Sequence, residues 1–170
     1  MSRYEKLCDL YRNSRQKLQV YQEESVVFAE RLVKGLVEDF SVPPGETKCF
    51  PPGQPERADG TLPLKQTLMM GQDLYWHFGL EIMLLSENPE TEPGQPVQIH
   101  LSFKKVDGNF QLKVAGKEHT YEVNLEKGQP FKPFFDDLFA TIQESLKEGV
   151  DRFTEKKPPA CKIGFMSECP

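Results

Sequence analysis

The dipeptide Asp107-Gly108, set between Val106 and Asn109, is the pair preferred in a two-residue type I′ hairpin, because both central residues of that turn need positive φ. A turn fixed there puts Phe103 opposite Leu112 and Leu101 opposite Val114. Gly116-Lys117, between Ala115 and Glu118, predicts a second tight hairpin of the Gly-X kind, which pairs Leu112 with Tyr121 and Phe110 with Val123. All four pairs join apolar residues on one face. A one-residue slip would turn every one of these side chains over, so two independently placed turns that agree on one inward set define a three-stranded antiparallel meander.

The period-two pattern continues upstream. From Leu74 to Leu85, Trp76, Phe78, Leu80, Ile82 and Leu84 share one face, and Tyr75, His77, Gly79, Glu81 and Met83 share the other. The strand before the Asp107-Gly108 turn carries Val97, Ile99, Leu101 and Phe103 inward, with Gln98, His100, Ser102 and Lys104 outward. Placing Leu84 opposite Val97 keeps both core faces together and sets Glu81 opposite His100. Alternation at Leu62, Leu64, Leu68 and Met70 predicts a further strand. Before it, residues 41–60 carry two Pro-Pro-Gly triplets and are expected to form a long loop without regular structure, either a lid or a span from helix to sheet.

Helical spacing dominates both ends. Between Ser2 and Phe40 there is no proline, and apolar residues recur at Tyr4, Leu7, Tyr11, Leu18, Tyr21, Phe28, Leu32 and Leu36. One helix of that length runs on the order of 55 Å at 1.5 Å per residue, too long for the body it serves. The dense half, Val26 to Phe40, is expected to dock on the core; the sparse half is expected to project and pack on a second subunit, or to fold back through a helical turn. Near Pro133 a closing helix begins, with Phe135, Leu138, Phe139, Ile142, Leu146, Val150 and Phe153 on one stripe. The fold class expected is α+β: a long N-terminal helix, an antiparallel meander of about five strands, and a C-terminal helix that shares one sheet face with the second half of the first. Residues 1–25 form the projecting or dimerising segment, 26–157 a single α+β domain with the Pro/Gly-rich loop at 41–61, and 158–170 a tail.

Composition narrows the chemistry. Twenty-six acidic and 21 basic residues, scattered in both signs for a net charge of −5, leave no basic track for a phosphate backbone, so nucleic acid is not expected as a partner. No apolar run approaches the roughly 18 residues of a membrane span, and the N-terminal residues lack a signal-peptide core, so a cytoplasmic protein without membrane contact is expected. Cys8, Cys49, Cys161 and Cys169 lie far apart with no C-x-x-C pair and are expected to be free thiols; a Cys161–Cys169 bridge would need an oxidising setting. Phosphate loops, Rossmann glycines, nucleophile elbows and zinc-protease motifs are absent, and no cofactor or metal is implied.

Three sets of residues remain as candidates. In the register above, His77, Glu81 and His100 come together on the outer face, where a carboxylate beside imidazole can orient a base and two histidines with a carboxylate can hold zinc; the plainer role is a cross-strand polar pair. Trp76, Phe78 and Phe103 form either core or an aromatic wall for a flat ligand, and His119 falls on inward parity opposite Val114. Tyr4, Leu7, Tyr11 and Leu18 on the helix, with Tyr75 and Met83 on a half-apolar outer sheet face, suit a protein partner or a second copy. The sequence is therefore expected to encode a non-catalytic cytoplasmic interaction module that associates with itself. The alternatives are a small-ligand-binding protein with its pocket between sheet and helices, and a small hydrolase or metal enzyme built on His77, Glu81 and His100.

Overall fold

The computed structural model describes residues 1–155. One unbroken helix, α1, spans Arg3–Asp39 and starts at a capping box in which Ser2 accepts from the Glu5 amide and Glu5 accepts from the Ser2 amide. Its second half carries the buried residues Ser25, Phe28, Ala29, Leu32 and Leu36, whereas residues 3–7 and 10–20 are exposed. A helix-turn-helix does not form, because nothing between Arg12 and Ser25 breaks the backbone ladder.

Among the described residues the sheet has six strands: β1 Thr47–Phe50, β2 Met69–Met70, β3 Trp76–Leu84, β4 Gln95–Val106, β5 Asn109–Val114 and β6 Tyr121–Val123. Their order is β1-β3-β4-β5-β6, with β2 also pairing β3, and every pair is antiparallel. Asp107 and Gly108 both take positive φ, as a type I′ turn demands, and Phe103 pairs Leu112 while Leu101 pairs Val114. Phe110 pairs Val123 and Leu112 pairs Tyr121, as expected, but ladder pairing ends there and residues 117–120 run free of it. His119 is consequently exposed rather than at the edge of the core, and its ring meets the edge of Tyr121 at 4.3 Å.

Two stretches depart from expectation. Thr47–Phe50 forms a strand between the Pro-Pro-Gly triplets, since only those four residues need free backbone donors and acceptors to line the β3 edge, and Pro55–Arg57 adds a 3-10 turn. Leu64–Thr67, expected to lie in a strand, is instead a single helical turn, α2, which leaves β2 two residues long. Leu64 and Leu68 sit four apart and both pack against the core, a spacing that a helical turn satisfies as well as alternation does.

The core lies between the inward sheet face and two helices, α1 and α3, the latter spanning Lys132–Glu155. Its centre is aromatic: Phe28 stacks on Phe110 at 4.1 Å and tilts against Phe103 at 4.7 Å, while Phe131 closes on Phe28 at 5.5 Å. Gly35 lets α3 approach α1, because a Cβ there would already touch the Phe135 ring at 3.3 Å. Lys132 ties the same corner, reaching Asp39 at 3.1 Å and Asp136 at 2.7 Å. The expected stripe positions Val150 and Phe153, and the tail with Cys161 and Cys169, lie outside the side chains described.

Candidate interaction surfaces

The outer sheet face is covered in part by the chain itself, around Gly79 and His100. Phe50, fully buried, lays its ring over Gly79 where a Cβ would otherwise stand, and meets the His100 ring edge-on at 5.4 Å. The proline-rich segment supplies this cover through β1, and the chain after it returns to the same β3 edge through β2. Tyr75 is held as well: Lys113 Nζ lies 3.9 Å and Lys104 Nζ 4.6 Å from its ring centre, and its hydroxyl donates to Gln111 Oε1 at 3.1 Å. Met83 packs its sulfur against Gly94, where an added Cβ would meet it at 2.9 Å. Tyr75 and Met83 are therefore half-buried by contacts within the chain.

The register between β3 and β4 differs by two residues from the expected one. Leu84 pairs Gln95 and Ile82 pairs Val97, so Glu81 faces Gln98, His100 faces Gly79, and His77 faces Ser102. Glu81 is buried and accepts from Gln98 Nε2 at 2.7 Å, so the residue directly across the strands from it is Gln98 and not His100. His77 instead meets Asp73 at 2.9 Å, its Nε2 against Oδ1, and this bond lowers the Asp73 carboxyl below its usual range. Gly71 gives the pair its room, since a Cβ there would lie 2.6 Å from Asp73 Oδ1 and 2.7 Å from His77 Nε2. The His100 imidazole is held below the ordinary histidine range, first by burial and then by the nearby His77. Among the described residues, no three His, Cys, Asp or Glu side chains converge to hold a metal ion.

The aromatic trio resolves into core. Phe78 and Phe103 are fully buried and touch at 6.3 Å, and Phe28 fills the gap a flat ligand would have needed. Trp76 packs near Tyr21 at 6.3 Å, and its buried indole N–H finds no acceptor among the described residues.

Two clefts flank α3. One, of about 340 Å³, is mostly apolar and lies among Phe40, Val42, Leu84, Leu85, Phe139, Ile142 and Leu146. The other, of about 390 Å³, is lined by Lys117, His119, Tyr121, Asp137, Thr141 and Glu144. In the latter Tyr121 donates to Asp137 Oδ2 at 2.8 Å, and burial, then this carboxylate, push its hydroxyl up to about 12.

The first half of α1 is left uncovered by the other described residues. Tyr4, Leu7, Tyr11 and Leu18 are 74%, 64%, 65% and 42% exposed, so four large apolar side chains on one stripe face water. Leu10, at 66%, widens the stripe; as a flanking position it was not singled out from the sequence. At 100° per residue the four lie on the same helical face as Ser25, Phe28, Leu32 and Leu36, the face the sheet buries. No described helix is long and apolar enough to cross a membrane. Comparison with protein-family models, curated proteins and solved structures gives no match.

Proposed function

We propose that this chain is a non-catalytic interaction module, in which an α+β body carries a projecting helix that binds protein, including a second copy of itself. One observation carries the reading: the face of α1 that is buried in its second half bears large apolar residues again in its exposed half, at Leu18, Tyr11, Leu7 and Tyr4, with Ser14 the one polar position among them. Most helical stability in proteins comes from packing an apolar face, and the first half of α1 packs its stripe on none of the described residues. Local support here is modest, comprising the capping box, the Asp9–Arg12 ion pair at 2.8 Å and the Gln19–Glu23 hydrogen bond at 3.0 Å. A partner on the stripe supplies what these do not.

The helix carries the reading rather than Tyr75 and Met83, because those two are half-buried while Tyr4, Leu7 and Tyr11 are largely exposed. Hydrogen exchange tests it. Amides between Glu5 and Leu18 should exchange more slowly as the protein is concentrated, and the Leu7→Glu/Leu18→Glu variant should abolish that dependence. Exchange in this segment that ignores concentration and added partner alike would contradict the proposal.

A second reading, a small-ligand-binding protein, draws on the 340 Å³ apolar cleft beside Phe139, itself 50% exposed. Native mass spectrometry of freshly purified protein would show a retained apolar ligand, lost on substituting Phe139→Glu. The bare chain mass alone would remove this reading's support.

A further inference from the structure

We infer that two copies of this chain pair through residues 4–21 of α1 in antiparallel register, with Leu7 of one copy opposite Leu18 of the other. This rests on the proposed self-association and specifies its geometry. The stripe falls into two seven-residue series, Tyr4, Tyr11 and Leu18, and Leu7, Ser14 and Tyr21, which are the core positions of a two-stranded coiled coil; all are exposed except Tyr21, which is half-buried against the body.

Steric constraint selects the direction. From Ser25 onward the same stripe is buried against the chain's own sheet, through Phe28, Ala29, Leu32 and Leu36. A parallel partner lying on Tyr4 to Tyr21 would run straight on into the space that sheet occupies. An antiparallel partner leaves in the opposite direction, past Ser2, and its body stands beyond the free end of α1.

The side chains then select the stagger. Antiparallel coiled coils pack one series against the other, and pairing Leu7 with Leu18 brings Tyr4 beside Tyr21 and Tyr11 beside Ser14. Every large residue of the stripe is engaged, and the overlap ends at Tyr21, where the Tyr21–Trp76 contact marks the edge of the body. On the flank, Arg3 comes alongside Glu24, whose Oε2 holds Lys105 at 2.8 Å, and Leu10 lies along the aliphatic stem of Lys17. A parallel pair would set Arg3 against Cys8 and Lys17 against Gln22, with no opposite charges.

Cysteine cross-linking of the full chain tests this, with Cys8, Cys161 and Cys169 replaced by serine. Leu7→Cys and Leu18→Cys chains are prepared separately and then mixed under mild oxidation. The mixture should give covalent dimer on a non-reducing gel and neither chain alone should, because Leu7 and Leu7 of the other copy lie about 16 Å apart along the axis, far beyond disulfide reach. Dimer from either chain alone would overturn the antiparallel register while leaving self-association standing. No cross-link in any sample, with light scattering at twice the chain mass, would move the interface elsewhere and overturn the inference. A single-chain mass throughout would overturn self-association itself.

Discussion

The Phe50 ring occupies the space above Gly79 that any side chain at that position would need. The contact ties the proline-rich segment to the centre of the sheet: Phe50 and Gly79 face each other across β1 and β3, and His100 lies beyond them on β4. Gly79→Ala should therefore drive Phe50 off the sheet and cost about 2–3 kcal/mol, the scale of exposing a buried aromatic or overpacking a filled site. Urea unfolding measures it, and in a Phe50→Leu background the same substitution should cost less, since the two sites are coupled.

Protonation of His100 is linked to stability through the same contact. Its folded pKa is lowered, so as pH falls the unfolded chain takes up the proton first, near the ordinary value of about 6.5, and stability drops. Above that pH both states are neutral and the residue contributes nothing. Urea midpoints should decline from pH 7.5 to 5.5, and His100→Gln should flatten the decline; an equal slope in both proteins would refute the assignment.

Burial pushes the Cys49 thiol up to about 12. With Cys8, Cys161 and Cys169 replaced by serine, the remaining thiol should resist iodoacetamide at pH 8 and react fully once denaturant is added. Rapid labelling of the folded protein would mean that β1 opens readily.

Two glycines should respond in opposite directions to alanine. Gly108 sits at φ 86° in the hairpin turn, so Gly108→Ala should destabilise by about 1–2 kcal/mol. Gly149, within α3, has open space where a Cβ would stand, so Gly149→Ala should stabilise by about 0.5–1 kcal/mol. Thermal unfolding of the two variants checks both signs.

How far the sequence specified this fold depended on local turn chemistry. Asp107-Gly108 locked the register of Phe103 and Leu112 because the turn residues themselves dictate the pairing, whereas Leu112 pairs Tyr121 without the expected tight Gly116-Lys117 hairpin: the turn there runs from Val114 to Lys117, with Ala115 and Gly116 central. Residues 85–94 join β3 to β4 without such a lock, and apolar alternation alone is satisfied equally by Leu84 or Ile82 opposite Val97; hence the two-residue difference that separates Glu81 from His100. The cover on the outer face was hidden for a related reason. Thr47–Phe50 is too short to show a period, and its partner Gly79 has no side chain to signal that a ring lies above it. His119 had inward parity, yet parity binds a side chain only while the ladder continues, and it stops at Tyr121. The α1 stripe was legible throughout, because helical spacing at Tyr4, Leu7, Tyr11 and Leu18 needs no tertiary information.

Whether that stripe brings chains together is the central claim, and sedimentation equilibrium of the full chain tests it most directly. The wild-type chain should form a reversible species of twice the 19.5 kDa chain mass, which reverts to single chains in the Leu7→Glu/Leu18→Glu variant. A wild-type protein that remains at 19.5 kDa across the accessible concentration range, or a variant that dimerises as well as the wild type, would contradict it.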